Sequence, residues 1–363
     1  KVAAAASQEL LYRRPDGLTS RQVVIGYDRR FLAKEFAEAI ASAVHGCELV
    51  PLLSESALPT PACSWAVVEH QALGALVVTA SHNPPEWLGV KIKGPFGSSV
   101  DDQFTKCVEE RILAGGVTIP IAKTTTVFDA RGEHLEGLRR KFDIHALSKG
   151  LRNLGLKVIV DSMHGSAAGC LAELLGSQGD CWIEEIRVNR DPLFGGNPPE
   201  PLALYLGELV DAVKASQAEG QKSIGLAFDG DGDRIAAIDE DGRFCSTQML
   251  MPLIIDYLAR AEDLPGSIVK TVSGSDLMRM IAESHGRDVL EKPVGFKYIA
   301  AEMLSGEVLV GGEESGGIGF GMHLPERDAL FTALILLESL VESGSSLGER
   351  LHSVYEPFGG RNS

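Results

Sequence analysis

Three aspartates stand two apart in the segment Asp229-Gly-Asp-Gly-Asp-Arg234. Carboxylates at every second position, spaced by glycine, suit a tight loop that turns their oxygens onto one point. In a plain strand, side chains at i and i+2 lie roughly 6.6 Å apart, too far to share one ion, so glycines are needed to bend the chain. Oxygen-only ligands favour Mg2+ over zinc, and three carboxylates leave room for a phosphate oxygen. An EF-hand loop is the rival: positions 1, 3 and 5 fit, and Glu240 falls at position 12. Position 6, however, is Arg234 where Gly is required, and the flanks 224–228 and 235–238 read as strands rather than helices. A metal-free acidic turn is the plainer alternative. Beside a buried strand its carboxylates would repel strongly without a cation.

A second segment, Thr79-Ala-Ser-His-Asn-Pro-Pro85, follows an apolar run. A serine hydroxyl on a rigid turn after a buried strand is well placed as a nucleophile, and the prolines stiffen its exit. A capped polar turn is the alternative. No G-x-S-x-G surrounds Ser81, and the adjacent His82 makes no triad. Ten residues on, Val90-Lys-Ile-Lys93 alternates, so Lys91 and Lys93 point the same way, toward a phosphate or toward solvent. A third segment, Gly311-Gly-Glu-Glu-Ser-Gly-Gly317, offers acidic and hydroxyl groups that could accept hydrogen bonds from sugar hydroxyls. Taken alone it also fits a glycine-rich turn without a ligand.

Each of these segments follows a predicted strand, and strands alternate with helices throughout, the pattern of an α/β architecture. The first block places strands at 23–27, 49–53 and 75–79, with helices at 36–44 and 62–71. The pattern restarts with strands at 157–160, 183–188 and 224–228 and helices at 167–175 and 204–216. A third start has helices at 249–261, 277–284, 298–304 and 328–341 and strands at 268–272 and 308–310. The expected domains are 1–145, 146–248 and 249–363, joined near 143–150 and 241–248. Residues 115–126 and 191–201 read as surface loops. In open α/β sheets ligands bind at strand ends, where the three polar segments lie.

A length of 363 residues calls for two to four domains. A formal net charge of −16 argues against a nucleic-acid partner, because phosphate backbones demand a basic face. It leaves room for a small phosphorylated substrate held by a local Arg/Lys cluster. The six cysteines are scattered with no CxxC pair, as in free or buried thiols of a reducing compartment. No apolar run approaches the roughly 18 residues of a membrane span. The opening Lys-Val-Ala-Ala-Ala-Ala reads as part of an amphipathic helix, not a signal peptide. A cytoplasmic location is therefore expected, with the oligomeric state open between monomer and homodimer.

Taken together and in order, the three segments resemble the α-D-phosphohexomutase superfamily, which includes phosphoglucomutase and phosphomannomutase. Secondary matches are Gly26-Tyr-Asp-Arg-Arg30, Asp161-Ser-Met-His-Gly165, Gly295-Phe-Lys-Tyr-Ile299 and Leu324-Pro-Glu-Arg-Asp328. The resemblance implies three similar α/β domains, each a mixed sheet between helices, with the active site in the cleft between them. It implies an isomerase, an intramolecular phosphotransferase, acting on a hexose phosphate. Ser81 would be the phosphoserine. Asp229, Asp231 and Asp233 would hold Mg2+ together with a phosphate oxygen on Ser81. Arg234 would sit beside the transferred phosphoryl, and Lys91 and His82 would be candidates for proton transfer, Lys91 the stronger. Glu313 and Ser315 would recognise sugar hydroxyls, and Lys297 and Arg327 would touch the sugar phosphate. Glucose 1,6-bisphosphate would serve as activator and intermediate. Gly317, where many dual-specificity and glucosamine-type members carry His, and Glu314 tilt the expectation to phosphoglucomutase over phosphomannomutase or a dual-specificity enzyme. A non-catalytic sugar-phosphate-binding homologue is the alternative from another class. Family members also open with a Gly-Thr-Ser/Asp-Gly-like segment ending in Arg and close with a phosphate-clamping fourth domain. Neither occurs in this sequence, so both are expected to lie outside it.

Overall fold

The computed structural model describes residues 1–115, 125–176, 182–261 and 264–359. Helix α1 (Val2–Tyr12) precedes β1 (Gln22–Tyr27), α2 (Ala33–Gly46), β2 (Val50–Ser54), α3 (Thr60–Glu69), β3 (Gly74–Val78), β4 (Val90–Lys93), α4 (Asp102–Leu113) and β5 (Thr126–Phe128). These strands form a sheet of order β4-β3-β1-β2-β5, parallel except for β4 against β3. Helices α5 (Ala130–Lys141) and α6 (Ile144–Asn153) then lead into β6 (Lys157–Asp161), α7 (Cys170–Leu175), β7 (Ile183–Ile186), α8 (Gly207–Ala218), β8 (Ser223–Phe228), β9 (Ile235–Ile238) and β10 (Phe244–Cys245). Their order is β10-β9-β8-β6-β7, with β9 antiparallel to β8. The third set is α9 (Thr247–Ala259), β11 (Ser267–Thr271), α10 (Asp276–Ser284), β12 (Val289–Lys292), α11 (Phe296–Ser305), β13 (Val308–Gly312), β14 (Ile318–Phe320), α12 (Ala329–Ser343) and α13 (Leu347–Tyr355). Its order is β12-β11-β13-β14, with β14 antiparallel to β13.

One plan is thus repeated three times. The first strand is central, the second and third flank it, and the fourth runs antiparallel beside the third. The inner strands are buried on both faces, which is why β3 (GALVV) and β8 (SIGLAF) are apolar runs without alternation. In every repeat the connection from third to fourth strand carries one of the polar segments: residues 79–89, 229–234 and 313–317.

The second and third sheets share a continuous apolar core. It runs from Leu135 and Leu138 through Val158, Leu226 and Phe228 to Ile268, Val310 and most of α12. The first sheet has separate cores on its two faces, around Ile25 and Leu76 on one and Val24 and Val77 on the other.

Residues 143–150, expected to be a join, instead begin α6, whose first turn is capped by the Asp143 carboxylate accepting from the Ala146 N–H at 2.9 Å. Gly150 lets α6 approach α12 closely, since a Cβ there would stand 2.3 Å from Val341. Helices α4, α5 and α13 and strands β12 and β14 also went unforeseen. They are short or largely polar outside, and α4 buries only Phe104 and Val108. Most of the expected loop over 115–126, together with Cys181, lies outside the described residues. The five described cysteines are free. Among the described residues no single helix is long and apolar enough to cross a membrane.

Candidate active site

Ser81 lies just beyond β3, with φ at 54°. That left-handed conformation is uncommon outside glycine. Its own N–H donates to Thr79 Oγ1 at 2.9 Å, which folds the turn back on the strand. Its hydroxyl donates to Asp229 Oδ2 of the second sheet at 3.2 Å. The approach is close: a Cβ on Gly230 would stand 2.6 Å from the Ser81 carbonyl oxygen, so only glycine lets the two loops meet. His82 Nδ1 is 3.5 Å from Ser81 Oγ, and its Nε2 is 3.8 Å from Glu200. Burial, then the neighbouring Arg234, pushes the imidazole down to about 4, so it is neutral near pH 7.

The three aspartates are fully buried. Asp229 Oδ1 accepts from the backbone N–H of Asp233 and Arg234, at 2.9 and 3.1 Å, which closes the loop on itself. Each carboxylate contributes an oxygen, and these lie within 4.8 Å of one another. Burial, with the charges of Asp233 and Asp231, raises Asp229 well above the carboxylate range. Burial and Asp233 act upward on Asp231 too, but Lys91 and the Thr60 hydroxyl hold it below its usual value. Burial is likewise overcome at Asp233, where Arg327, Lys91 and Arg234 hold the carboxylate far below that range. One oxygen each of Asp231 and Asp233 is buried with no hydrogen-bond partner. Buried polar atoms are nearly always satisfied, so two such oxygens at a carboxylate cluster fit a hard divalent cation.

Cations surround this cluster. Lys91 Nζ bonds Asp231 Oδ2 at 2.7 Å and Asp233 Oδ2 at 2.8 Å. Arg327 donates to Asp233 Oδ2 at 2.7 Å and to Glu313 Oε1 at 3.1 Å, so it ties the third sheet's loop to the second's. Gly317 makes way for it, since a Cβ there would meet Arg327 Cδ at 2.1 Å. Arg234 is 3.6 Å from Glu200. The Nε atoms of Arg234 and Arg327 are buried without a hydrogen-bond partner, 3.9 Å from Asp233 and 3.6 Å from Glu326, leaving donors for an anion.

The structure therefore brings together Ser81, His82, Lys91, Asp229, Asp231, Asp233, Arg234, Glu313 and Arg327. Ser315 is exposed at the tip of the β13–β14 loop. Lys297 is not with them: it pairs with Asp102 of α4 at 2.6 Å. The preceding Phe296 is turned into the core, which leaves Lys297 facing the first domain. Lys93 also parts from Lys91. It is fully buried against Glu326 and Ser99 and faces no cleft. Sequence reasoning missed Thr60, whose hydroxyl donates to Asp231 Oδ2 at 2.5 Å, and Arg30, which lies beneath the serine loop. Only Arg30 had a signal, its place in Gly26-Tyr-Asp-Arg-Arg30.

Comparison with known proteins follows the same division. Residues 1–116, 132–242 and 246–358 match the phosphoglucomutase/phosphomannomutase alpha/beta/alpha domains I, II and III. A phosphoglucomutase/phosphomannomutase of Thermococcus kodakarensis is 31% identical over 334 residues, covering 90% of this chain and 70% of that protein. The chain belongs to the phosphoglucomutase/phosphomannomutase family. It is an isomerase of the phosphohexomutase type. A phosphoglucosamine mutase of Desulforudis audaxviator is 30% identical over 340 residues, covering 91% of this chain and 72% of that one. A crystal structure of a Thermus thermophilus protein, named for a phosphomannomutase activity it is only assigned, superposes with a TM-score of 0.89 at 34% identity, covering 99% of this chain and 79% of that one.

Proposed function

We propose that this phosphohexomutase interconverts glucose 1-phosphate and glucose 6-phosphate through a phosphorylated Ser81. The observation that carries the reading is the Ser81 hydroxyl, 3.2 Å from a buried triad of carboxylates that is flanked by Lys91, Arg234 and Arg327. Phospho-Ser81 donates its phosphoryl to the free hydroxyl of the sugar phosphate. The resulting glucose 1,6-bisphosphate turns over in the cleft and returns its other phosphoryl to Ser81. Arg234 and Arg327 hold phosphoryl oxygens through their spare donors, and positioning with charge neutralisation supplies most of the acceleration.

Asp229, Asp231 and Asp233 would hold Mg2+, with a phosphoryl oxygen on Ser81 as a further ligand. When bound, the ion offsets charge on the transferring group. Lys91 now neutralises Asp231 and Asp233, and with a divalent charge held by those carboxylates it would be free to face the acceptor hydroxyl. Beside that added positive charge Lys91 would give up a proton and, as the neutral amine, take the proton of the hydroxyl; His82, neutral near pH 7, is the weaker candidate. Glu313, fixed by Arg327, and Ser315 bind sugar hydroxyls. Lys297 serves the sugar phosphate only if it leaves Asp102. Gly317, where many dual-specificity and glucosamine-type members carry His, tilts the assignment to glucose, and Arg327 takes the space beside it.

A coupled assay on full-length protein, with Mg2+ and a trace of glucose 1,6-bisphosphate, tests this. Glucose 1-phosphate should turn over faster than mannose 1-phosphate. A preference for mannose moves the assignment to phosphomannomutase, equal rates to a dual-specificity enzyme. Absence of turnover with any hexose phosphate leaves a non-catalytic sugar-phosphate-binding homologue.

A further inference from the structure

Arg30 is 1% exposed and stands beneath the serine loop without reaching its hydroxyl. A guanidinium has five N–H donors in a fixed plane. Here all five are used. Nε donates to Asp28 Oδ2 at 3.1 Å, one terminal nitrogen to the carbonyls of Pro84 at 2.7 Å and Trp87 at 3.2 Å, and the other to those of Ser81 at 2.8 Å and Asn83 at 2.6 Å. Asp28 is itself buried and accepts from the Arg30 N–H at 2.9 Å, so the base of the clamp cannot swing. The Phe194 ring of the second domain covers the guanidinium at 4.9 Å.

We propose that Arg30 is a positioning residue for phosphoryl transfer, holding four carbonyls of the 81–87 loop so that Ser81 keeps its left-handed backbone and its hydroxyl faces the aspartate triad. This rests on the phosphoserine reading above. The carbonyl that Arg30 fixes on Ser81 is the one packed against Gly230. Displacing it moves the nucleophile relative to the triad. With every donor occupied, Arg30 has none left for a phosphoryl group. It acts through the loop and not on the reacting atoms.

The test is Arg30→Lys in the full-length protein. One ammonium offers three donors from a single point and cannot span four carbonyls. The expected result is a kcat lower by about 100-fold, the loss typical of a misplacement of about 1 Å, with KM for hexose phosphate within about twofold. Hydrogen exchange should speed up at residues 80–89 and stay unchanged at 229–234. A kcat within about threefold of wild type, or a loss matched by the loss of folded protein, overturns the proposal. If wild type turns over no hexose phosphate, the functional reading fails by itself, and the exchange arm still judges Arg30: unaltered exchange at 80–89 refutes the clamp. Should Arg30→Lys not fold, Asp28→Asn keeps the guanidinium and loosens its base. It is expected to lower kcat about tenfold with the same exchange pattern, and an unchanged rate and exchange again overturn the proposal.

Discussion

The connection between β3 and β4 and the one between β8 and β9 occupy the same place in two repeats of one sheet plan, yet they are held in opposite ways. The aspartate loop is short and closes on itself: Asp229 accepts from the backbone N–H groups of Asp233 and Arg234, and the Gly232 N–H returns to the Asp229 carbonyl at 3.1 Å. The serine loop is about twice as long, and four of its carbonyls point at one guanidinium from another segment of the chain. A loop whose ligands are also its caps can be short and rigid. A loop that must present a hydroxyl to a bulky substrate needs length, and its order is then supplied from outside.

The largest effect expected from this contrast is at Ser81. Since the hydroxyl caps nothing in its own loop, Ser81→Ala should abolish turnover while thermal stability and Mg2+ binding stay at wild-type level. Appreciable residual activity would mean another group carries the phosphoryl. A marked fall in melting temperature would mean the serine loop is self-held after all.

Asp229 should behave differently, because one side chain is both cap and ligand. Asp229→Asn keeps an acceptor for the two N–H groups but loses a charge from the triad. Turnover should fall by about 100-fold or more. Wild type at a Mg2+ concentration 100 times its Kd should gain about 2.7 kcal/mol of stability, and the variant should lose most of that gain. Without metal, Asp229→Asn should be as stable as wild type or more so, and Asp229→Ala less stable, since only alanine removes the cap. Thermal melts with Mg2+ and with EDTA separate these outcomes; equal melts for Asn and Ala would break the comparison.

The two lysines of β4 extend the contrast to the domains. Lys91 ends on the aspartate loop of the second domain, and Lys93 is sealed against Glu326 of the third. Lys93→Met leaves a buried carboxylate without its partner and should cost about 3–5 kcal/mol in urea unfolding. Lys93→Met with Glu326→Met should recover most of that. A single variant as stable as wild type would show that Ser99 and Arg327 satisfy Glu326 without Lys93.

These pairings mark the limit of what the sequence discloses. The three polar segments and their strands were legible because each is a run of adjacent residues whose types state their chemistry. That Lys91 and Lys93 share a face followed from strand alternation, but which partner each meets depends on how three domains pack. Arg30 was visible only as part of a matching segment, since its acceptors are backbone carbonyls more than fifty residues away and carry no side-chain signature. The pairing of Lys297 was hidden for a related reason: position on a helix says which way a side chain leaves, not that Asp102 of another domain will be there. Helix α6 reads as a join in the sequence because its glycine, which there signals a break, serves close packing on α12.

The smallest effect belongs to a neutral contact that reaches the aspartate loop from the first domain. Thr60 opens α3, donates its hydroxyl to Asp231 and its N–H to the Asp231 carbonyl at 2.8 Å. Thr60→Val keeps the shape and the backbone bond and removes only the hydroxyl. A hydrogen bond to a charged acceptor contributes about 1.5–3 kcal/mol, and Lys91 still serves the same oxygen, so a loss near the lower end, about 1.5 kcal/mol, is expected. Mg2+ affinity should change by less than about tenfold, the equivalent of that energy. A larger loss of affinity would place the first domain among the supports of the metal site and make the aspartate loop, like the serine loop, dependent on its neighbour.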